Sequence, residues 1–365
     1  MVIIHIVLGK ANPERMNGVN KVVFQLASRQ TEAGKDVQLW GITDNLDHNY
    51  GERNFKTRLF KKSKNKFGIS TELKEAIIHE KDAVFHLHGG WISTFWAISK
   101  VLKKYNKRST LTPHGAYNSI AMAKNNTVKR AYFKLFERPM LNAIDKIHCI
   151  GKSEKTGLES IFPNDKQVLL PYGFETSQVP SSSTQNEDFI IGFVGRIDIY
   201  TKGLDLLVQA FSSFSEGKNV QLWIVGDSEE LTDLKNTVST LKCKNEITFF
   251  GSQFGDDKNR LIEQMNVFVH PSRNEGLPTA VLEAASFGVP SIVSEATNLA
   301  EYVTKHNAGQ AIENENSSQL ADAFEKLYQT WKSTDLKEYE KNTASMLFEE
   351  FNWDKLIPRY DELYA

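Results

Sequence analysis

Short apolar runs recur along the chain, each followed by a polar or glycine-bearing loop and then by a segment with apolar residues at helical spacing. Val2–Leu8, Val37–Ile42, Ala83–His88, Ser109–Pro113, Asp145–Ile150 and Val168–Leu170 read as one series of strands. Phe189–Val194, Val220–Val225, Ile247–Phe250, Asn266–Val269 and Ser291–Val293 read as a second. Runs this continuously apolar fit strands of a parallel sheet buried on both faces. Between them, Val19–Ala33 carries Val22, Val23, Leu26 and Ala27 on one helical face and is closed by Gly34. Further helices are expected at Thr127–Ala143, Lys152–Ser160, Glu229–Leu241, Asp256–Gln264, Ser317–Trp331, Asp335–Leu347 and Trp353–Tyr364, and Ala308-Gly309 reads as a turn. Strand and helix alternate in two separate stretches, which implies an α/β protein of two doubly wound, Rossmann-like domains. The expected domains are residues 1–173 and 189–347, with 174–188, rich in Ser and polar residues, as linker.

A chain of 365 residues that is 40% hydrophobic can fill two such cores. Cys149 and Cys243 are too few and too far apart for a disulfide framework or a zinc site, so a reducing, cytoplasmic setting is expected. The opening run Val2–Leu8 is too short for a signal peptide core or a membrane span. The formal net charge of −1 conceals an asymmetry. Residues 1–173 hold 28 Lys and Arg against 15 Asp and Glu, and the remainder holds 16 against 30. A basic half can face an anionic membrane or a polyanion, or the two halves can simply attract each other.

Candidate chemistry gathers where strands end. The stretch His270–Ala284 reads as strand, loop and helix, with Pro278 at the first helical position. Glu275 then lies on the loop, and Glu283 lies inside the helix on the face of Thr279. The amides of Leu277, Thr279 and Ala280 would be open to an anion. Phe189–Val194 leads into Gly195-Arg196, and Lys202-Gly203 opens the next helix. Cations at a helix N-terminus oppose its dipole, and an anion bound between Arg196 and Lys202 removes the conflict. Gly18, at the start of the first helix, would let a phosphate approach backbone amides. His114 follows a strand end and precedes Gly115. His86 and His88 alternate along a strand and are expected on opposite faces, which argues against a two-histidine metal site. The segment Arg53–Phe67 interleaves cations with Phe55, Leu59, Phe60 and Phe67, and reads either as a solvated loop and helix face or as a membrane-surface segment. No nucleic-acid motif accompanies it, and no nucleic-acid partner is expected.

Taken together, Phe193-Val194-Gly195-Arg196, Lys202-Gly203, Gly226-Asp227, Phe250-Gly251 and the Glu275–Glu283 frame resemble the retaining glycosyltransferases of family four, which have the GT-B fold. Asn17-Gly18-Val19-Asn20 and Thr112-Pro113-His114-Gly115 also match, and Tyr132–Glu154, with Glu137, Asp145 and Cys149-Ile150-Gly151, is similar to the polysaccharide-assembling members. The sequence departs from many members in its single glycine in the first loop and in reading Cys149-Ile150-Gly151-Lys152-Ser153 where others run directly into a serine. The resemblance implies two Rossmann-like domains facing across a cleft, with residues 348–365 crossing back to the first. It implies transfer of a hexose or N-acetylhexosamine from a nucleotide sugar, expected to be UDP-linked, to a glycan or lipid-linked glycan acceptor, with retention. Arg196 and Lys202 would hold the diphosphate and Gly18 the distal phosphate. Glu275 and Gly276 would meet the donor sugar, Glu283 the ribose, and His114 would lie near the reacting sugar. Gly195 and Asp227 belong to the motifs of the donor site, and the Gly251–Phe254 loop, with Gln253, would hold the base. No cofactor and no metal is expected, since two fixed cations can serve the leaving group. The place of action would be the cytoplasm or the inner face of the membrane.

Other enzymes and binders share parts of this pattern. Glycosidases pair carboxylates, but hydrolysis of a neutral glycan has no use for an Arg/Lys clamp. A nucleotide-sugar epimerase of the same fold, or a non-catalytic binder of sugar nucleotides or polyanions, would use the same clamp.

Overall fold

The computed structural model describes residues 1–12, 18–117, 126–175 and 187–365. The chain forms two compact units, Met1–Gly173 with Trp353–Ala365, and Phe174–Asn352. Each is described by itself.

The first unit is built on seven parallel strands, β1 (Val2–Leu8), β2 (Asp36–Thr43), β3 (Lys56–Lys61), β4 (Ala83–His88), β5 (Arg108–Thr112), β6 (Lys146–Cys149) and β7 (Gln167–Leu169), in the order β3-β2-β1-β4-β5-β6-β7. The second has six, β8 (Phe189–Val194), β9 (Val220–Val225), β10 (Ile247–Gly251), β11 (Val267–His270), β12 (Ser291–Ser294) and β13 (Gly309–Ile312), in the order β10-β9-β8-β11-β12-β13. Both orders reverse direction once, between β1 and β4 and between β8 and β11. At such a switch point successive crossovers leave to opposite sides, which opens a crevice at the carboxyl ends of the strands. The central strands β4 and β8 are buried along their whole length, as their apolar runs require. Each unit has its own apolar core, one around Trp40, Phe85 and Phe95 and one around Phe193, Phe211 and Phe324.

The differences from the sequence reading fall mainly at edges. Arg53–Phe67 is neither a loop nor a helix face over its middle, since β3 pairs with β2 in parallel. Only Phe60 of β3 is buried, against Trp40 at 5.1 Å between ring centroids, and the flanking lysines face solvent. An edge strand has one open ladder, and its charges keep other strands off. Phe55 is buried as well, so the segment does not present its aromatic residues outward. Ala308 ends a turn as expected, but Gly309 already begins β13, an edge strand of the second sheet. The helix expected over Thr127–Ala143 is interrupted by a π-helical turn, Phe133–Glu137. The helices Thr71–His79 and Ala300–Lys305 carry too short an apolar pattern to have been singled out. The helix expected to end at Leu347 runs as Lys337–Glu350, and the chain passes back to the first unit at Trp353 rather than at residue 348.

The last helix, Trp353–Tyr364, buries Trp353, Leu356, Ile357, Tyr360, Leu363 and Tyr364. Each such side chain contributes about 1.5–3 kcal/mol of hydrophobic stabilisation, so the first unit depends on a segment that is most distant in sequence. Of the expected linker, residues 176–186 lie outside the described residues, and Phe174 forms a parallel bridge with Asn352.

Candidate functional site

In the second unit, the groups singled out by sequence lie around the carboxyl ends of β8 and β11. Lys202 precedes the helix Leu204–Phe214, and its Nζ pairs with Glu275 Oε1. The same oxygen accepts from His270 Nε2 at 2.9 Å and from Ser272 Oγ at 3.3 Å. Burial alone would raise the Glu275 carboxyl, but the His270 hydrogen bond and the Lys202 charge overcome this and hold it down to about 2. Glu275 is therefore a carboxylate at any working pH and acts as an acceptor, not as an acid. With Nε2 donating, neutral His270 carries its lone pair on Nδ1, which is buried without a hydrogen-bond partner. The His270 ring stacks near Phe193 and Phe268.

The loop itself is fixed from below. Arg273 is buried and makes a two-pronged pair with Asp205 at 2.8 Å per bond, and its backbone N–H bonds the Thr201 carbonyl. Asn298 Nδ2 donates to the carbonyls of Glu275 and Gly276. The first clamp anchors the loop through the Arg273 side chain and the second holds the main chain at Glu275 and Gly276, so the position of Glu275 is set by residues far from it in sequence. The helix that follows is Thr279–Ser286, with Pro278 as its cap residue rather than its first turn residue. Its first internal bond runs from Val281 N–H to the Pro278 carbonyl, so the amides of Thr279 and Ala280 precede the ladder. Leu277 is buried, while Gly276, Thr279, Ala280 and Glu283 are half-buried. Glu283 Oε2 pairs with Lys258, a residue that no sequence pattern had marked.

Arg196 and Lys202 do not need an outside anion to balance their charge, contrary to the expectation. Arg196 pairs with Asp198 at 2.8 Å and Lys202 with Glu275, so each cation already has a carboxylate. Arg196 remains about two thirds exposed, whereas Lys202 and Glu275 are both mostly covered. Gly195, Gly226 and Gly251 close the ends of β8, β9 and β10, with Gly195 N–H on the Val225 carbonyl and Gly226 N–H on the Gly251 carbonyl. A Cβ at Gly226 would stand 1.8 Å from the Gly195 carbonyl oxygen, so close packing of backbones demands glycine there. Asp227 is exposed beyond this edge, and Gln253 folds back onto the Phe250 carbonyl.

In the first unit, His114 and Gly115 follow β5, and His114 has a positive φ of 56°. For a non-glycine residue that conformation is uncommon and has to be held. Buried Glu154 holds it by accepting the Gly115 N–H, and it also accepts from Ile150 N–H. Tyr117 O–H donates to Glu137, which the π-helical turn carries and which is also buried. Burial raises both carboxyls to about 7, against the pull of their hydrogen bonds. Gly18 opens the first helix, Gly18–Glu32, and is exposed, and a Cβ there would meet no atom of the described residues within 4 Å. Among the described residues, nothing requires glycine at 18. Asn17 lies outside the described residues.

His86 and His88 share one face of β4, contrary to the expectation. Side chains alternate with a period of two, so residues i and i+2 point the same way. Their ring centroids are 4.1 Å apart, and His5 of β1 joins them on that face.

Two families match, end to end. The family described as glycosyl transferases group 1 matches residues 175–344, and glycosyltransferase family 4 matches residues 16–178. The chain belongs to the group 1, family-four glycosyltransferases. A capsular polysaccharide biosynthesis glycosyltransferase of Staphylococcus aureus is 27% identical over 261 residues, covering 63% of this chain and 65% of that protein. The matches to the first two curated relatives span 58% and 65% of their length. The fold is that of GT-B glycosyltransferase structures. Sucrose-phosphate synthase of Thermosynechococcus elongatus superimposes with a TM-score of 0.76 at 19% identity, covering 100% of this chain and 98% of that one. A protein of Anabaena whose structure was determined in complex with UDP superimposes with 0.75 at 13% identity, covering 99% of both chains.

Within this chain, sequence reading missed His270 as a partner of Glu275, Lys258 as a partner of Glu283, and the Arg273–Asp205 clamp. The first was within reach, because His270 ends a strand before a loop, as does the segment that delivers His114. The other two join separate segments and leave no local signal.

Proposed function

We propose that the protein transfers a hexose or N-acetylhexosamine from a UDP-sugar to a glycan or lipid-linked glycan acceptor, with retention of anomeric configuration and without a metal. The observation that carries this reading is the Lys202–Glu275–His270 constellation beside the open start of the helix Thr279–Ser286. It places a carboxylate, its paired ammonium and the amides of Thr279 and Ala280, which precede the helix ladder, at one strand end, and this suits a ligand with both hydroxyls and phosphates. A diphosphate would draw Lys202 and Arg196 from their carboxylates, and the cations would then stabilise charge developing on the leaving group. Released from Lys202, Glu275 would accept sugar hydroxyls, and Glu283 would accept those of ribose. Gly276 and the amides of Leu277, Thr279 and Ala280 would meet phosphate or sugar. Gly195 and Asp227 would border the nucleotide, and Gly251 and Gln253 would face the base. Gly18 would admit the distal phosphate, and His114 would meet a hydroxyl of the transferred sugar. UDP finds support in the Anabaena structure, and a polysaccharide acceptor in the staphylococcal relative.

The test is a thermal-shift screen of UDP-, GDP-, ADP- and dTDP-sugars, since binding stabilises by mass action. Product analysis on the donor that shifts should show transfer with retained configuration. A donor isomerised without an acceptor would instead identify an epimerase, and binding without turnover a non-catalytic binder.

Among the described residues, no helix is long and apolar enough to cross a membrane. Contact with an anionic membrane would rest on charge alone, through exposed Lys61, Lys62, Lys64 and Lys66. Sedimentation with anionic vesicles should then be abolished by salt and by neutralising these four lysines.

A further inference from the structure

Five of the nine histidines lie in the first unit in one hydrogen-bonded group: His5, His86, His88, His114 and His148. His5, His86, His88 and His148 stand on β1, β4 and β6 and His114 follows β5, with His5 opposite His86 and His88 opposite Thr112 in the ladders. His5, His86 and His88 offer ring nitrogens within 4.8 Å of one another, a spacing that suits a metal. All six of those nitrogens are, however, already engaged in hydrogen bonds, so a metal would have to break the group that holds them.

The direction of every bond in this group follows from one atom. The Leu170 carbonyl can only accept, so neutral His148 donates to it from Nε2, at 2.6 Å. His148 Nδ1 then accepts the Thr112 O–H, at 2.7 Å. Having given its proton, the Thr112 oxygen accepts from His86 Nε2, at 2.6 Å. His86 Nδ1 accepts the Tyr364 O–H, at 2.8 Å. The Tyr364 oxygen accepts in turn, at 3.1 Å, which requires that the Gln30 amide nitrogen face it. The Gln30 oxygen therefore faces His5 and accepts from its Nε2, at 2.7 Å. His5 Nδ1 accepts from His88 Nε2, at 2.9 Å, and His88 Nδ1 accepts from His114 Nε2, at 3.1 Å. No step is left free, because each neutral imidazole has one donor and one acceptor nitrogen. Burial keeps all five imidazoles neutral, with His5 and His148 lowered to about 4, His114 to about 3, and His86 and His88 well below the ordinary value.

We propose that this one-directional chain of hydrogen bonds fixes His114 as the Nε2–H tautomer, so that it presents a bare Nδ1 and meets its substrate as a hydrogen-bond acceptor. Gln30 and Tyr364 are then positioning residues for His114, although both lie far from it in sequence. The group that His114 recognises must be a donor, such as a sugar hydroxyl, and an ether oxygen or a fluorine in its place is rejected. The link to substrate rests on the reading of His114 given above, whereas the tautomer does not.

The test uses the full-length protein labelled with ¹⁵N-histidine, with tautomers read from two-bond ¹H–¹⁵N spectra at neutral pH. The expected spectrum has all five imidazoles in the Nε2–H form, with His114 Nδ1 unprotonated. In Gln30→Met the acceptor for His5 is gone, and His114 should become a mixture of tautomers. In Tyr364→Phe the Gln30 amide loses its orientation, and the same mixture should appear, which serves if the first variant fails to fold. Gln30→Glu still accepts from His5 Nε2 and should restore the single tautomer at His114. Sugar transfer should fall roughly tenfold in the first two variants, as for one lost hydrogen bond, and should recover in the third. An Nδ1–H form of His114 in the parent protein, or unchanged tautomers in both Gln30→Met and Tyr364→Phe, overturns the chain. A mixed tautomer with unchanged transfer leaves the chain standing and removes His114 from the reaction.

Discussion

The two units use one topology and opposite electrostatics. At the carboxyl edge of the second sheet, Lys202 meets Glu275, Arg196 meets Asp198 and Lys258 meets Glu283. In the first, five histidines run from the middle of β1 and β4 to the strand ends, linked to one another and to Gln30, Thr112 and Tyr364, and burial keeps them neutral. The crevice at a switch point is thus a property of the fold, and its chemistry is set by which side chains the strand ends deliver. Ion pairs can exchange partners when a charged ligand arrives. A neutral chain of imidazoles cannot exchange charge, but it can fix the direction of a proton. Under the function proposed above, one unit would manage phosphate charge and the other would orient a neutral hydroxyl.

The largest expected effect tests the charged side. Lys202→Ala should lower kcat by about 10²–10³-fold, on the scale of losing one preorganised donor to a developing negative charge. Glu275→Gln should also lower kcat, since Lys202 and His270 lose their shared carboxylate. Steady-state kinetics with the donor found by the thermal screen decides both, and near-parental turnover in Lys202→Ala would remove the clamp from the mechanism.

Next comes the neutral side, through pH. Burial keeps the five imidazoles of the folded first unit unprotonated below 6.5, where the unfolded chain takes up protons. Glu137 and Glu154 act in the opposite sense, because their folded values, raised to about 7, hold protons that the unfolded chain releases above 4.5. The histidines outnumber the glutamates, so between about pH 4.5 and 6.5 the unfolded state binds more protons and stability rises with pH, by up to about 1.4 kcal/mol per pH unit for each net proton. Urea midpoints should fall steadily as pH drops through this window. A flat profile would mean that the histidines are not neutral when folded.

Smaller effects sharpen the roles of single residues. Glu283→Gln should raise the donor KM about tenfold with little change in kcat, the signature of lost uniform binding. Gly18→Ala should leave the melting temperature unchanged, since the added methyl meets none of the described residues, yet weaken donor binding if a phosphate approaches there. A fall in stability at Gly18 would show that the fold, not a ligand, needs the glycine.

Much of this architecture was legible in the sequence. The strand runs, from Val2–Leu8 to Ser291–Val293, were marked by continuous apolar composition, which central parallel strands must have. The strands β3 and β13 were not, because polar residues break up their runs, whereas the edge strands β7 and β10 keep short apolar runs and were marked. The Glu275–Glu283 frame was legible because strand, loop and helix follow one another locally. The faces of His86 and His88 were legible in principle from the period of two, which places both on one side.

The sequence by itself determined that there are two doubly wound units, where most of their strands end, and that Arg196, Lys202, Glu275 and His114 stand in the loops at those ends, with Glu283 inside the helix that follows. These features are local, written in runs of a few residues. Only the tertiary structure decided the partners: Glu275 for Lys202, Lys258 for Glu283, and the chain from Leu170 through Tyr364 and Gln30 to His114. Hydrogen-bond direction and ion pairing depend on which atoms meet, and those atoms come from segments as far apart as Gln30 and Tyr364. No local pattern encodes such a meeting. It exists only once the last helix has packed against the first unit.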